Sequence, residues 1–171
     1  FMLMFMPAAA TDTITQNVFE EMANITLLSI PLFILKGAAI GRSRAGADLY
    51  LAIHAWMHKI PGGLGIANVF ACALFAAMAG SSPATCSAIG GAGIPEMRSR
   101  GYSPGFAAGI IAAGGTLGIL LPPSITMILF AVAAEQSLGR LFLAGIFPGL
   151  LLVGLFAGYA VFRFKVEYNS A

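Results

Sequence analysis

The chain has 171 residues, 58% of them hydrophobic and 9% charged, whereas soluble domains carry about a quarter charged residues; a globule of this length could not hide so much apolar material from water. The mean hydropathy of +0.89, with 21 Gly, 13 Phe and 9 Pro, points to a multi-pass, all-α protein whose solvent is the lipid bilayer. A net charge of +2 from nine scattered Lys and Arg against seven Asp and Glu leaves no footprint for nucleic acid, and Cys72 and Cys86, both inside apolar stretches, read as small packing residues rather than a disulfide or thiolate site.

Residues 1–10 are apolar, begin with Phe1 and lack a basic leader, which fits the tail of a truncated span better than a signal peptide. Residues 1–24 are therefore expected to be a span end plus a polar connector (11–21), and the chain a fragment of a longer protein. Residues 25–63 read as a transmembrane helix plus an interfacial segment. The apolar run 23–41 would be about 28 Å long as a helix, close to the hydrocarbon thickness. Arg42 and Arg44 close it, and the amphipathic stretch 47–59, with Trp56, His54, His58 and Lys59, suits the membrane interface. His54 and His58 stand at i, i+4, yet no third ligand accompanies them, so no transition metal is expected. Lys36 is a cation within the span; snorkelling or pairing is its first expectation, although a charge at that depth is also a functional candidate. Glu20 and Glu21 read as solvated acids before the span.

Residues 64–97 are expected to form a re-entrant hairpin. The arm 64–79 would be about 24 Å and the arm 83–94 about 18 Å, each short for a crossing, while one helix of both would run to about 46 Å and overshoot. Ser82 is placed as the N-cap of the second arm and Pro83 in its first turn. Residues 98–137 read as a broken transmembrane helix: a polar turn at 96–101, a helix over 105–113, an interruption at 114–123 and a second half from Ser124 to residue 134. Gly114, Gly115 and Gly118 loosen the turns there, and Pro122 and Pro123 cannot donate a backbone hydrogen bond. Residues 138–171 hold the last span (141–162, about 33 Å) and its basic end at Arg163 and Lys165. With a hairpin that enters and leaves on one side, Arg42, Arg44, Lys59, Arg98, Arg100, Arg163 and Lys165 share a face and Arg140 is opposite. A crossing hairpin would erase that bias, so the positive-inside rule favours the re-entrant form with the basic face cytoplasmic. Gly37 with Gly41, Gly105 with Gly109, and Gly154 with Gly158 give three Gly-x-x-x-Gly pairs suited to close helix packing.

Non-helical backbone at membrane depth persists only against protein or a wet cavity, so breaks at 80–83 and 114–123 suggest a shared site. Their free carbonyls and hydroxyls are hard oxygen donors for a small cation such as Na⁺. The half-helices starting at Pro83 and Ser124 would turn positive dipole ends toward an anionic substrate. Taken singly, either break could be a plain kink or an exterior turn.

Six motifs in order, 30–41 (IPLFILKGAAIG), 61–65 (PGGLG), 79–90 (AGSSPATCSAIG), 94–101 (IPEMRSRG), 112–124 (AAGGTLGILLPPS) and 141–150 (LFLAGIFPGL), resemble the large membrane subunit of TRAP transporters, the DctM-like component. The resemblance implies a Na⁺-coupled secondary importer of the bacterial inner membrane that works by an elevator mechanism. It would take an organic anion, such as a C4-dicarboxylate, sialic acid or another sugar or keto acid, from a periplasmic solute-binding protein, beside a small four-helix TRAP membrane subunit. It further implies one half of an inverted repeat, with the second half outside these residues. Carried onto this chain, it assigns Ser81, Ser82 and Thr85, with the carbonyls of Gly118, Leu121 and Pro123, to a Na⁺ site, and makes Pro83, Thr116 and Ser124 substrate-lining candidates. Lys36 departs from the small or apolar residue expected there. An enzyme is not expected, because a nucleophilic Ser81 or Ser82 would have no base near it; a passive channel and a structural membrane subunit are the competing readings.

Overall fold

The computed structural model describes residues 15–16, 18–19, 25–57 and 62–169; the expectations for residues 1–10, Glu20, Glu21, His58 and Lys59 lie outside them. From residue 25 onward the described regular structure is helical: α1 (Ile25–Arg42), α2 (Ala45–Met57), α3 (Gly63–Ala79), α4 (Ser82–Ser99), α5 (Pro104–Leu120), α6 (Ile125–Ala133) and α7 (Leu138–Asn169). Among the described residues two stretches are long and apolar enough to cross a membrane, Pro104–Ala133 and Leu138–Val166, and α1 meets α2 at a bend of 64°.

The core is α3, α4 and α5, and small residues set their register. Gly80 ends α3 in the left-handed region (φ 64°), where its N–H caps the Ala76 carbonyl; glycine tolerates that conformation without a Cβ penalty. The chain then reverses, and α4 returns along α3 so that Gly93 faces Asn68, whose amide side chain fills the space a Cβ would need. Helix α5 lies against both arms. Its beginning, at Phe106, meets Gly65, its Gly114 meets Cys72, and its Gly118 reaches the turn at Ser81 and Ser82. Phe75, Val69, Ile89, Met97 and Leu117 are fully buried between these helices. Cys72 and Cys86 are free thiols and serve as the packing residues expected, against Gly114 and Gly115. Helix α7 runs back antiparallel to α5, with Gly149 under the Leu121 side chain and Ala160 against Gly65.

Several expectations are corrected by this packing. The 114–123 stretch is helical as far as Leu120, because its glycines occupy points where helices approach too closely for a Cβ; the actual break is four residues, 121–124. Helix α4 begins at Ser82 with Ser81 as N-cap, and it continues through Pro95 to Ser99. Pro95 is exposed, and the carbonyl its missing N–H leaves unserved belongs to the equally exposed Gly91, so the proline is tolerated there. Helix α2 packs on α3 and α4: Gly46 abuts Ala88, and an Arg100 Nη2 donates to His54 Nε2 at 3.2 Å. Arg42 and Arg44 therefore sit nearer the middle of α4 than the end that gathers Arg98, Arg100 and Arg163. Of the three Gly-x-x-x-Gly pairs, only Gly37 packs within the described chain, on the Ala79 carbonyl; Gly105, Gly109, Gly154 and Gly158 face outward. The outer surface of α1 and α7 is apolar, with Leu32, Leu35, Leu143, Phe147, Leu155 and Phe162 exposed, as a lipid-facing surface requires.

Candidate functional site

The two breaks in the helical backbone meet. At the first, Gly80 (φ 64°) and extended Ser81 (φ −143°, ψ 126°) separate α3 from α4. At the second, Leu121 (φ −75°, ψ 126°), Pro122, Pro123 and Ser124 (φ −124°, ψ 137°) separate α5 from α6, and the Pro122–Pro123 bond is cis. The Ile125 N–H, first in α6, donates to the Gly80 carbonyl at 3.3 Å. A Cβ on Gly80 would lie 2.8 Å from the Pro123 carbonyl oxygen, and one on Gly118 would lie 2.7 Å from Ser81 C and Ser82 N. The contacts are backbone on backbone, so the absence of side chains at 80 and 118 is what lets the junction close.

Oxygen atoms concentrate here. The Ser81 carbonyl accepts both the Thr85 N–H at 3.1 Å and the Thr85 Oγ1–H at 2.9 Å, which leaves the Thr85 oxygen lone pairs free inside a fully buried position. The Ser82 and Ser124 hydroxyls are buried and make no hydrogen bond, although Ser124 is an N-cap, a position whose hydroxyl usually serves its own helix. The carbonyls of Gly118 and Ile119 fall four residues before Pro122 and Pro123, which have no N–H to give them. Buried polar atoms without partners cost about 1–3 kcal/mol each, so a cluster of them at one junction needs a reason. Acceptor-rich, chargeless and built largely of carbonyls and hydroxyls, it has the donor chemistry of a hard monovalent cation. Among the described residues no group of His, Cys, Asp and Glu could hold a transition metal.

The structure brings together Ser81, Ser82, Gly118, Pro123 and Ser124, with Thr85 one turn behind Ser81. Leu121 contributes backbone beside them while its side chain packs on Gly149 of α7. Pro83 is at the rim, exposed. Thr116 is not part of the cluster: it faces outward and its Oγ1 donates to the Ala113 carbonyl of its own helix at 2.6 Å. A continuous helix through this stretch turns residue 116 away from the face that carries 114 and 118. Gly80 falls within the first break expected from the sequence, while Ile125 was missed: it offers a backbone N–H, which no side chain advertises.

Comparison with known proteins matches residues 1–170 to the family model described as tripartite ATP-independent periplasmic transporter, DctM component. A C4-dicarboxylate TRAP transporter large permease protein of Pseudomonas aeruginosa is 47% identical over 150 residues, covering 88% of this chain and 35% of that protein. An isethionate TRAP transporter permease protein of Oleidesulfovibrio alaskensis is 39% identical over 93% of this chain and 24% of its own length. An ectoine/5-hydroxyectoine TRAP transporter large permease protein of Ruegeria pomeroyi is 36% identical over 94% and 37%. The chain thus spans about a quarter to two-fifths of the length of these relatives.

Proposed function

The chain belongs to the DctM component family of tripartite ATP-independent periplasmic transporters, and from that premise we propose that it is the ion-binding part of a Na⁺-coupled importer of organic anions in the bacterial inner membrane. In this reading α3 and α4 form a re-entrant hairpin. Ser81, Ser82 and Thr85, with the carbonyls of Gly118, Leu121 and Pro123, hold Na⁺ at the junction. Ser124 and Pro83 stand on the side from which the substrate approaches, where the first turns of α4 and α6 present positive dipole ends. The observation that carries the reading is the Gly80–Ile125 hydrogen bond: it joins two interruptions whose buried Ser82 and Ser124 hydroxyls have no other partner.

The remainder of the longer protein supplies the other half of the substrate pocket. A periplasmic solute-binding protein delivers the anion, and a small four-helix membrane subunit completes the scaffold against which the hairpin-bearing part moves as an elevator. The exposed apolar faces of α1 and α7 support such a membrane setting. Reconstitution of the full-length permease with its small subunit and loaded binding protein in liposomes tests this. Uptake of a labelled carboxylate is expected to require an inward Na⁺ gradient and to stop when Na⁺ is replaced by choline. Flux that persists without Na⁺ and without the binding protein would mean a passive pore instead.

A further inference from the structure

Lys36 sits in α1 six residues before its end at Arg42, about 9 Å along the helix axis. Its neighbour Gly37 rests on the Ala79 carbonyl, where a Cβ would come within 3.0 Å, so Lys36 stands at the depth of the α3–α4 turn. Lys36 is exposed, and its Nζ lies 4.2 Å from the centre of the Phe33 ring, one turn toward the helix N-terminus, the direction helical side chains take. That ring in turn reaches the junction, with Phe33 Cδ1 3.6 Å from the position of a Cβ on Gly80. It also walls a cleft of about 200 Å³ shared with Gly37, Ala79, Ser81, Ala84 and Ile125. Among the described residues the ion pair joins Arg100 to Glu96, so no described carboxylate neutralises Lys36. An ammonium level with the α3–α4 turn rests on an aromatic face, one ring away from the hydroxyl-bearing junction, with no carboxylate paired to it among the described residues.

We propose that Lys36 is the counter-charge for the acid group, carboxylate or sulfonate, of the transported anion, parked on Phe33 beside the Ser81 cleft until the anion lies between it and the junction. The proposal rests on the reading of that junction as the Na⁺ site of a carrier. Its physical content is a coupling. Two cations near one another repel, and an anion placed between them is attracted to both, so Na⁺ and substrate each raise the other's affinity. Removing the ammonium then has opposite effects on the two ligands: the anion binds more weakly, while Na⁺ alone binds more readily. A residue with only a packing role would not split them.

The test uses the full-length transporter with its small subunit and binding protein, with succinate and isethionate as probes. K36M is expected to raise the KM for anion uptake about tenfold, and to lower by about two- to threefold the Na⁺ concentration that half-maximally raises Tm in the absence of anion. K36R, which keeps the charge, should hold KM within about threefold of the parent. In K36C, an anionic methanethiosulfonate should label the thiol from water, and succinate should slow that labelling about fivefold. A K36M protein with unchanged KM, or a K36C thiol unreachable from water, overturns the assignment while an active parent leaves the carrier reading standing. A KM that follows the phosphatidylglycerol content of the liposomes would assign the ammonium to lipid phosphate instead and also overturn it. A parent transporter whose anion uptake is indifferent to the Na⁺ gradient overturns the carrier reading itself.

Discussion

The two interruptions are made by opposite means. Between α3 and α4 a single glycine adopts positive φ and the next serine extends, so the helix is stopped by geometry that still leaves a carbonyl, Gly80 O, pointing at a donor. Between α5 and α6 the helix is stopped by subtraction: Pro122 and Pro123 withhold two N–H groups, and the carbonyls of Gly118 and Ile119 lose their helical donors. One break thus offers a bonded carbonyl and the other a surplus of acceptors, and their meeting leaves oxygen in excess.

Gly80→Ala attacks the first break and should have the largest effect. A non-glycine residue in the left-handed region costs about 1–2 kcal/mol, and the new Cβ would lie 2.8 Å from the Pro123 carbonyl, adding about 1–3 kcal/mol of overpacking. The loss of about 2–5 kcal/mol should appear as a lower Tm of the full-length protein in detergent, with Na⁺-driven uptake abolished. Gly118→Ala attacks the second from inside α5. Its Cβ meets Ser81 and Ser82 backbone atoms that cannot swing aside, again about 1–3 kcal/mol, but alanine returns about 1 kcal/mol of helix propensity. The net change in Tm should be the smaller of the two. Uptake should nevertheless fall tenfold or more, since the two breaks are pushed apart; a Gly118→Ala protein with parental uptake would show that their contact is incidental.

The positions of both breaks were legible, because Gly-Ser-Ser-Pro and Pro-Pro are incompatible with continuous helix whatever surrounds them. The extent of the second was not. Read locally, Gly114, Gly115 and Gly118 weaken a helix; in the fold they are the flat side of one, where Cys72, Cys86 and the Ser81–Ser82 backbone come too close for any side chain. Propensity and packing make the same residue type mean opposite things, and only the partner helix decides. The outward phase of Thr116, which sets it apart from the Ser81–Ser82 cluster, exists only because the helix runs on. Helix α2 is a different case. Tyr50 and His54, four residues apart, share one face and stack at 6.1 Å, and a polar group on such a face reads the same whether its neighbour is a lipid headgroup or, as with Arg100, another helix.

The smallest expected effect is also the most discriminating, because its sign changes with the ion. Ser124→Ala deletes a buried hydroxyl that makes no hydrogen bond. Without Na⁺ it removes an unsatisfied polar group, so stability should stay level or rise by up to about 1 kcal/mol. With Na⁺ at the junction the same change removes a hydroxyl next to the Pro123 carbonyl assigned to the ion, and the Na⁺ concentration for half-maximal stabilisation should rise several-fold. Thr116→Val, at an exposed hydroxyl bonded within its own helix, should move Tm by no more than a surface change does, about 0.5 kcal/mol, at every Na⁺ concentration. Tm measured against Na⁺ for the parent and both variants separates the cases. If Ser124→Ala destabilises the protein equally with and without Na⁺, its hydroxyl is structural and the surplus of oxygen at the meeting of the two breaks is not what holds an ion.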